Sequence, residues 1–266
     1  MNRFNESCHP FYASIMKQFT SNIAFTMLLL THSIFFTTAF AAVNKNKSST
    51  INVYQLQYQE TEPGIDAYKV RMLVSKRYIR IDTLGDNSGY IIFDGKKNII
   101  YSLSHFDRRI LVINPKNGSK NKPADNLNIH PVIEYMPLVN APKVAGKTIY
   151  NYRVFSGKNK NRQTCMTIQL VKGLLPAVTR ILKKYQQLIS AQQVVMLKNT
   201  IKSVQTPCYL IDQIFNAGLY YDKGLPIQEW HSNQQTKILL GYKQLNVDAK
   251  LFDLPASYSR FSIPLK

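Results

Sequence analysis

In Glu229-Trp230-His231 a carboxylate and an imidazole stand two residues apart, so in an extended strand both point to one face and Trp230 to the other. That spacing suits proton transfer. The competing reading, a surface Glu and His flanking a core Trp, is the commoner arrangement. Beyond a leader described below, the histidines are His105, His130 and His231, with no His-x-x-x-His or Cys-x-x-Cys spacing, so a metal site would have to be assembled from separate strands. There is no Gly-x-Ser-x-Gly elbow, and neither Cys165 nor Cys208 has a histidine beside it. Asp82 and Asp94 lie on or beside strands, where Arg80 or Arg109 can hold them in structural ion pairs. The turn from Asp86 to Gly89 lacks the ligand spacing of a calcium loop. The expectation is a protein that is not an enzyme and carries no metal and no cofactor.

Compartment is more legible than chemistry. Lys17 precedes an apolar run from Ile23 to Phe40, and Ala39-Phe40-Ala41 puts small residues where a signal peptidase reads, which describes a secretory signal over 1–41. Met16-Lys17 is a more natural start than Met1, making 1–15 an upstream extension. The alternative is an uncleaved anchor, whose core of about 18 residues stands at the lower limit for spanning a membrane. Residues 42–50 form a polar linker, and 51–266 form a single domain. Once 1–41 are removed, 266 less 41 leaves 225 residues, with 32 basic against 14 acidic, a charge of +18. Such a balance favours anionic membrane surfaces, although the lysines cluster with asparagines in Lys116–Lys122 and Lys158–Arg162, as solvated loop tips do. No aromatic-interleaved basic motif points to nucleic acid. Cys165 and Cys208 remain as an even pair, for which a disulfide is the default in an exported protein; two buried thiols or a redox pair are the alternatives.

The elements that must position these residues are mainly strands. Alternating side chains mark strands at Ile51–Gln59, Ala67–Ser75, Arg77–Thr83, Tyr90–Phe93, Asn98–Leu103 and Arg109–Ile113, an antiparallel meander. The stretch 114–147 carries five prolines and reads as one long connection. Thr148–Phe155 and Gln163–Val171 form a hairpin, Tyr209–Phe215 is ambiguous between helix and strand, and Ile227–His231 and Lys237–Val247 close the domain. Between the cysteines, apolar residues recur at three- and four-residue steps from Pro176, predicting an amphipathic helix over about 176–202, roughly 40 Å long. The fold class expected is mainly β with one long helix (α+β), a strongly curved sheet covered by that helix.

The runs Tyr68-Lys69-Val70-Arg71-Met72-Leu73-Val74, Tyr78-Ile79-Arg80-Ile81-Asp82, Tyr90-Ile91-Ile92-Phe93-Asp94 and Asn98-Ile99-Ile100-Tyr101-Ser102-Leu103, with Gly224-Leu225-Pro226-Ile227-Gln228-Glu229 and Leu251-Phe252-Asp253-Leu254-Pro255, resemble exported proteins of the outer-membrane lipoprotein carrier (LolA/LolB-like) fold and their periplasmic relatives. The resemblance implies a half-open antiparallel β-barrel with a helical lid and an apolar cavity for acyl chains. On that basis the ligand is an acyl chain, a lipid or a lipidated partner, held by Val178, Ile181, Leu182, Tyr185, Leu188 and Ile189 in the periplasm or outside the cell. The alternative is an interaction module of the periplasm with a filled core, whose basic loops contact envelope polyanions or a protein partner.

Overall fold

In the computed structural model, residues 49–114, 129–157 and 162–263 are described. The leader, most of the linker, and the lysine- and asparagine-rich tips at 116–122 and 158–161 lie outside the described residues. Alternation of apolar and polar side chains produces the expected meander: β1 (Thr50–Glu62), β2 (Ile65–Val74), β3 (Tyr78–Thr83), β4 (Gly89–Asp94), β5 (Ile99–Ser104) and β6 (Arg109–Ile113). The long connection contains a strand that the sequence reading missed, β7 (Val132–Pro137), hidden between Pro131 and Pro137. Then follow β8 (Ile149–Ser156), β9 (Gln163–Val171), β10 (Leu225–His231), β11 (Thr236–Asp248) and a short β12 (Ser259–Phe261).

These strands form one twelve-stranded sheet in the order β12-β6-β5-β4-β3-β2-β1-β11-β10-β9-β8-β7. The expectation of a half-open antiparallel barrel or a curved sheet under one long helix is therefore corrected: the sheet is open and mixed. β12 runs parallel to β6, because the C-terminal segment returns to the far end of the meander. Strand order of this kind depends on partners distant in sequence. It leaves no mark in local alternation.

The helix is also shorter than expected. α1 (Pro176–Met196) begins with Pro176 in the first turn, where a missing N–H costs nothing. It ends six residues early. Thr200 is extended, and the Gln205 side-chain amide donates to the carbonyls of Leu197 (3.0 Å) and Thr200 (2.8 Å), satisfying groups that a continuing helix would have used. Two single 3-10 turns, Leu197–Asn199 and Lys202–Val204, replace the last part. At about 31 Å, α1 still crosses several strands.

The ambiguous segment after Cys208 is helical. α2 (Pro207–Leu210) is capped by Thr206, whose hydroxyl accepts from the Tyr209 amide (3.2 Å), and it runs into a π turn at Ile211–Phe215 and a 3-10 turn at Leu219–Asp222.

Over the meander both faces of the sheet are covered. On the inner face, Leu56, Val70, Met72, Ile79, Phe93, Ile100, Ile168 and Leu170 are buried beneath α1 and the 207–222 segment. On the outer face, Phe252, Leu251, Leu254 and Tyr258 pack on Val53, Leu73, Ile92 and Leu103. One irregularity matters for function. β11 pairs with β1 along its whole length but with β10 only at Thr236–Ile238, so the two halves of the sheet are joined there by three residues of ladder.

Candidate functional site

The hairpin joining β10 to β11 sets the register that builds the most polar part of the inner face. Glu229 lies opposite Lys237, and Lys237 lies opposite Glu60 on β1. Three adjacent strands thus line up a carboxylate, an ammonium and a carboxylate. The Lys237 ammonium is 3.0 Å from a Glu60 oxygen and stands 4.6 Å over the buried Tyr58 ring. Two residues along β10, His231 Nδ1 is 3.2 Å from Asp212 of the π turn, and Nε2 is 3.7 Å from Glu229. Tyr152 donates to Asn216 (2.8 Å), fastening the same segment to β8. Nearby, Glu62 accepts from Tyr68 and from Gln235.

Glu229 and His231 do share a face, but it is the buried one. Glu229 is 6% exposed while Trp230 is 36% exposed, which inverts the expected core Trp between surface neighbours. Ile168 on β9 lies directly opposite Glu229, so the register places the two ionisable groups inward. What makes that tolerable is their pairing with Lys237 and Asp212. Glu60, Lys237 and Asp212 were not singled out from the sequence. The hairpin around Ser232–Gln235 carried the signal for one of them, because it sets Glu229 against Lys237.

Electrostatics explains what this cluster can do. Burial opposes the charged imidazole of His231, yet Asp212 and Glu229 outweigh burial and push its pKa up to about 10. Burial likewise opposes the Lys237 ammonium, and Glu60 and Glu229 override it and raise it above its ordinary value. Burial raises the Tyr58 and Tyr221 hydroxyls. A histidine held as imidazolium is a poor base near neutral pH. The arrangement fixes charge and ties the 207–222 segment to the sheet. Among the described residues, no group of three or more His, Cys, Asp or Glu is placed to hold a metal ion.

A pH dependence follows. The folded-state pKa of His231 lies above the unfolded value, so its contribution is complete below about pH 6.5 and is lost as pH rises towards about 10. The melting temperature of the native chain is expected to fall across that window. His231→Gln should start lower and show a flatter profile; parallel profiles would mean that no imidazolium is stabilised there.

The other sequence candidates are placed as follows. Val178, Ile181, Leu182, Tyr185, Leu188 and Ile189 come together as one buried stripe of α1, each at most 8% exposed, with the Tyr185 ring 5.7 Å from Phe93. A cavity of about 50 Å³ lies elsewhere, lined by Val112, Ile113, Asn114, Gln192, Ser262 and Ile263. Cys165 on β9 and Cys208 on α2 form a disulfide. Asp82 pairs with Arg80 and also with Arg71, while Asp94 pairs with Arg77. Arg109 stacks instead on Phe261. His105 bonds the Tyr258 hydroxyl (2.7 Å).

The disulfide points to an oxidising, extracytoplasmic compartment. Among the described residues no helix is long and apolar enough to cross a membrane. No protein-family model and no curated protein matches this sequence. Among solved structures, an uncharacterised conserved protein from Thermus thermophilus is similar at 9% identity and a TM-score of 0.39, covering 83% of this chain and 94% of that one. PNGF-II is similar at 11% identity and a TM-score of 0.37, covering 80% of this chain and 31% of its own. The LolA superfamily protein NE2245 from Nitrosomonas europaea is similar at 9% identity and a TM-score of 0.28, covering 79% of this chain and 89% of that one. Likenesses this loose carry no argument about ligand or activity.

Proposed function

We propose that this is a non-enzymatic binding protein of the periplasm or cell exterior that recognises its partner with its outer surface and edges, its interior being filled. The observation that carries the reading is the burial of all six side chains of the α1 stripe against the sheet; none of them lines the cavity of about 50 Å³ between Val112–Asn114 and Ser262–Ile263, itself far below the about 300 Å³ that a ligand pocket needs.

One observation favours a second reading, uptake of an acyl chain or lipidated partner between α1 and the sheet. The three-residue junction of β10 and β11 is a seam at which the two half-sheets can part. Titration with a fluorescent fatty acid at low and high ionic strength separates the two. Surface recognition expects no saturable uptake of the probe, together with adsorption to anionic vesicles that disappears as salt rises. Stoichiometric uptake indifferent to salt would establish the second reading and overturn the first.

A further inference from the structure

β11 outruns its partner on one side. Beyond Ile238 no described strand pairs with it on the side facing away from β1, and among the described residues the backbone of Leu239–Val247 enters no turn or loop hydrogen bond. The register shift opposite Gln57 and Tyr58 leaves Leu240 unopposed, a bulge that bends the strand where β10 is left behind. Leu240 is 49% exposed and Tyr242 37%, and Gly241 has open space where a side chain would stand. From Leu239 to Val247 there is no proline, and Lys243 is the single charge. Soluble proteins usually block such edges with charge, proline or short strands. The ends of this sheet are blocked: β7 stops at Pro137 and carries Glu134 paired with Arg153 and Arg162, and β6 is covered by β12.

We propose that the free edge of β11, Leu239–Val247, is a docking site that adds an extended acidic peptide strand of another protein to the sheet. This names the site and partner class of the surface recognition argued above and rests on that reading. Backbone groups supply the ladder, and side chains select the occupant. A second copy of this chain is a poor occupant. Lys243 sits at the centre of the segment, so a twofold pairing would set it against its own counterpart, in a chain with 34 basic and 15 acidic residues. A strand that turns an acidic residue to Lys243 and apolar residues to the face of Tyr242 meets both demands. Such a strand alternates acidic with apolar residues.

The probe is a short peptide alternating valine with glutamate, added to the full chain and followed by hydrogen exchange and fluorescence anisotropy. Exchange is expected to slow at Leu239–Val247. Lys243→Glu, an exposed change, should weaken binding about tenfold and admit the valine–lysine peptide instead. A peptide with proline at its centre should not bind. The proposal is overturned if the probe does not bind, if the proline peptide binds equally, if protection appears elsewhere, or if the free protein is already a dimer with these amides protected. A protein carrying acyl lipid would count against surface recognition whatever happens at β11. Failure at β11 in a lipid-free protein removes only this docking site.

Discussion

Replacing both Cys165 and Cys208 with serine is expected to lower the stability of the domain by about 4 kcal/mol, the chain-entropy value for a closed loop of this length. The bond spans 43 residues and brackets all of α1. Cys165 is buried near the start of β9, at the register shift against β8, and its carbonyl accepts from the Ser232 amide (2.8 Å), so the bond anchors α2 and the turns after it to the inner face. Without it, α1 and the 207–222 segment form one long excursion held by side-chain contacts. For a protein of this size the melting temperature should fall by roughly 8–16 °C. Hydrogen exchange should rise first at 207–222 and only later in β8 and β9. A loss under about 1 kcal/mol would mean that packing alone holds the segment.

Lys237→Met should cost about 3 kcal/mol, the lower end for breaking a buried pair, because Lys237 keeps some contact with water. Methionine preserves the stem over Tyr58 but removes the charge that both Glu60 and Glu229 face. Glu60 and Glu229 both lose that charge, Glu229 keeping His231 at 3.7 Å, and the melting temperature should drop by roughly 6–12 °C. Adding Glu60→Gln should recover part of the loss, and a double-mutant cycle isolates the coupling. Equal losses in the single and double variants would show that Lys237 acts through packing alone.

These two results bear on different parts of what the sequence could disclose. The disulfide was legible, because two cysteines in an exported chain have few alternatives. The six-strand meander was legible too. Tyr54, Leu56 and Tyr58 alternate with glutamines, and the same pattern repeats through Ile113 with boundaries shifted by a few residues. The start of α1 was marked by Pro176, but its end is set by Gln205 reaching back to Leu197, a contact no periodicity reports.

The charge ladder was harder to see. A Glu and a His beside a Trp normally put the ring inside, and here Lys237 and Asp212 reverse that preference from other elements. Sheet order was illegible for the same reason. β12 is three residues long, and its partner β6 lies about 150 positions earlier. The six apolar residues of α1 were correctly read as one face. Whether that face lines a cavity depends on the sheet beneath it, where Phe93, Ile79 and Ile100 are fully buried and the Phe93 ring lies 5.7 Å from Tyr185.

The central claim is that the interior of this protein is filled. Native mass spectrometry of the protein purified from the envelope of its own host, with lipids present throughout, tests it most directly. The expected result is the polypeptide mass less two hydrogens for the disulfide, with no acyl lipid bound. A stoichiometric lipid that survives purification, and that is lost on substitution within the α1 stripe while the fold is retained, would contradict it.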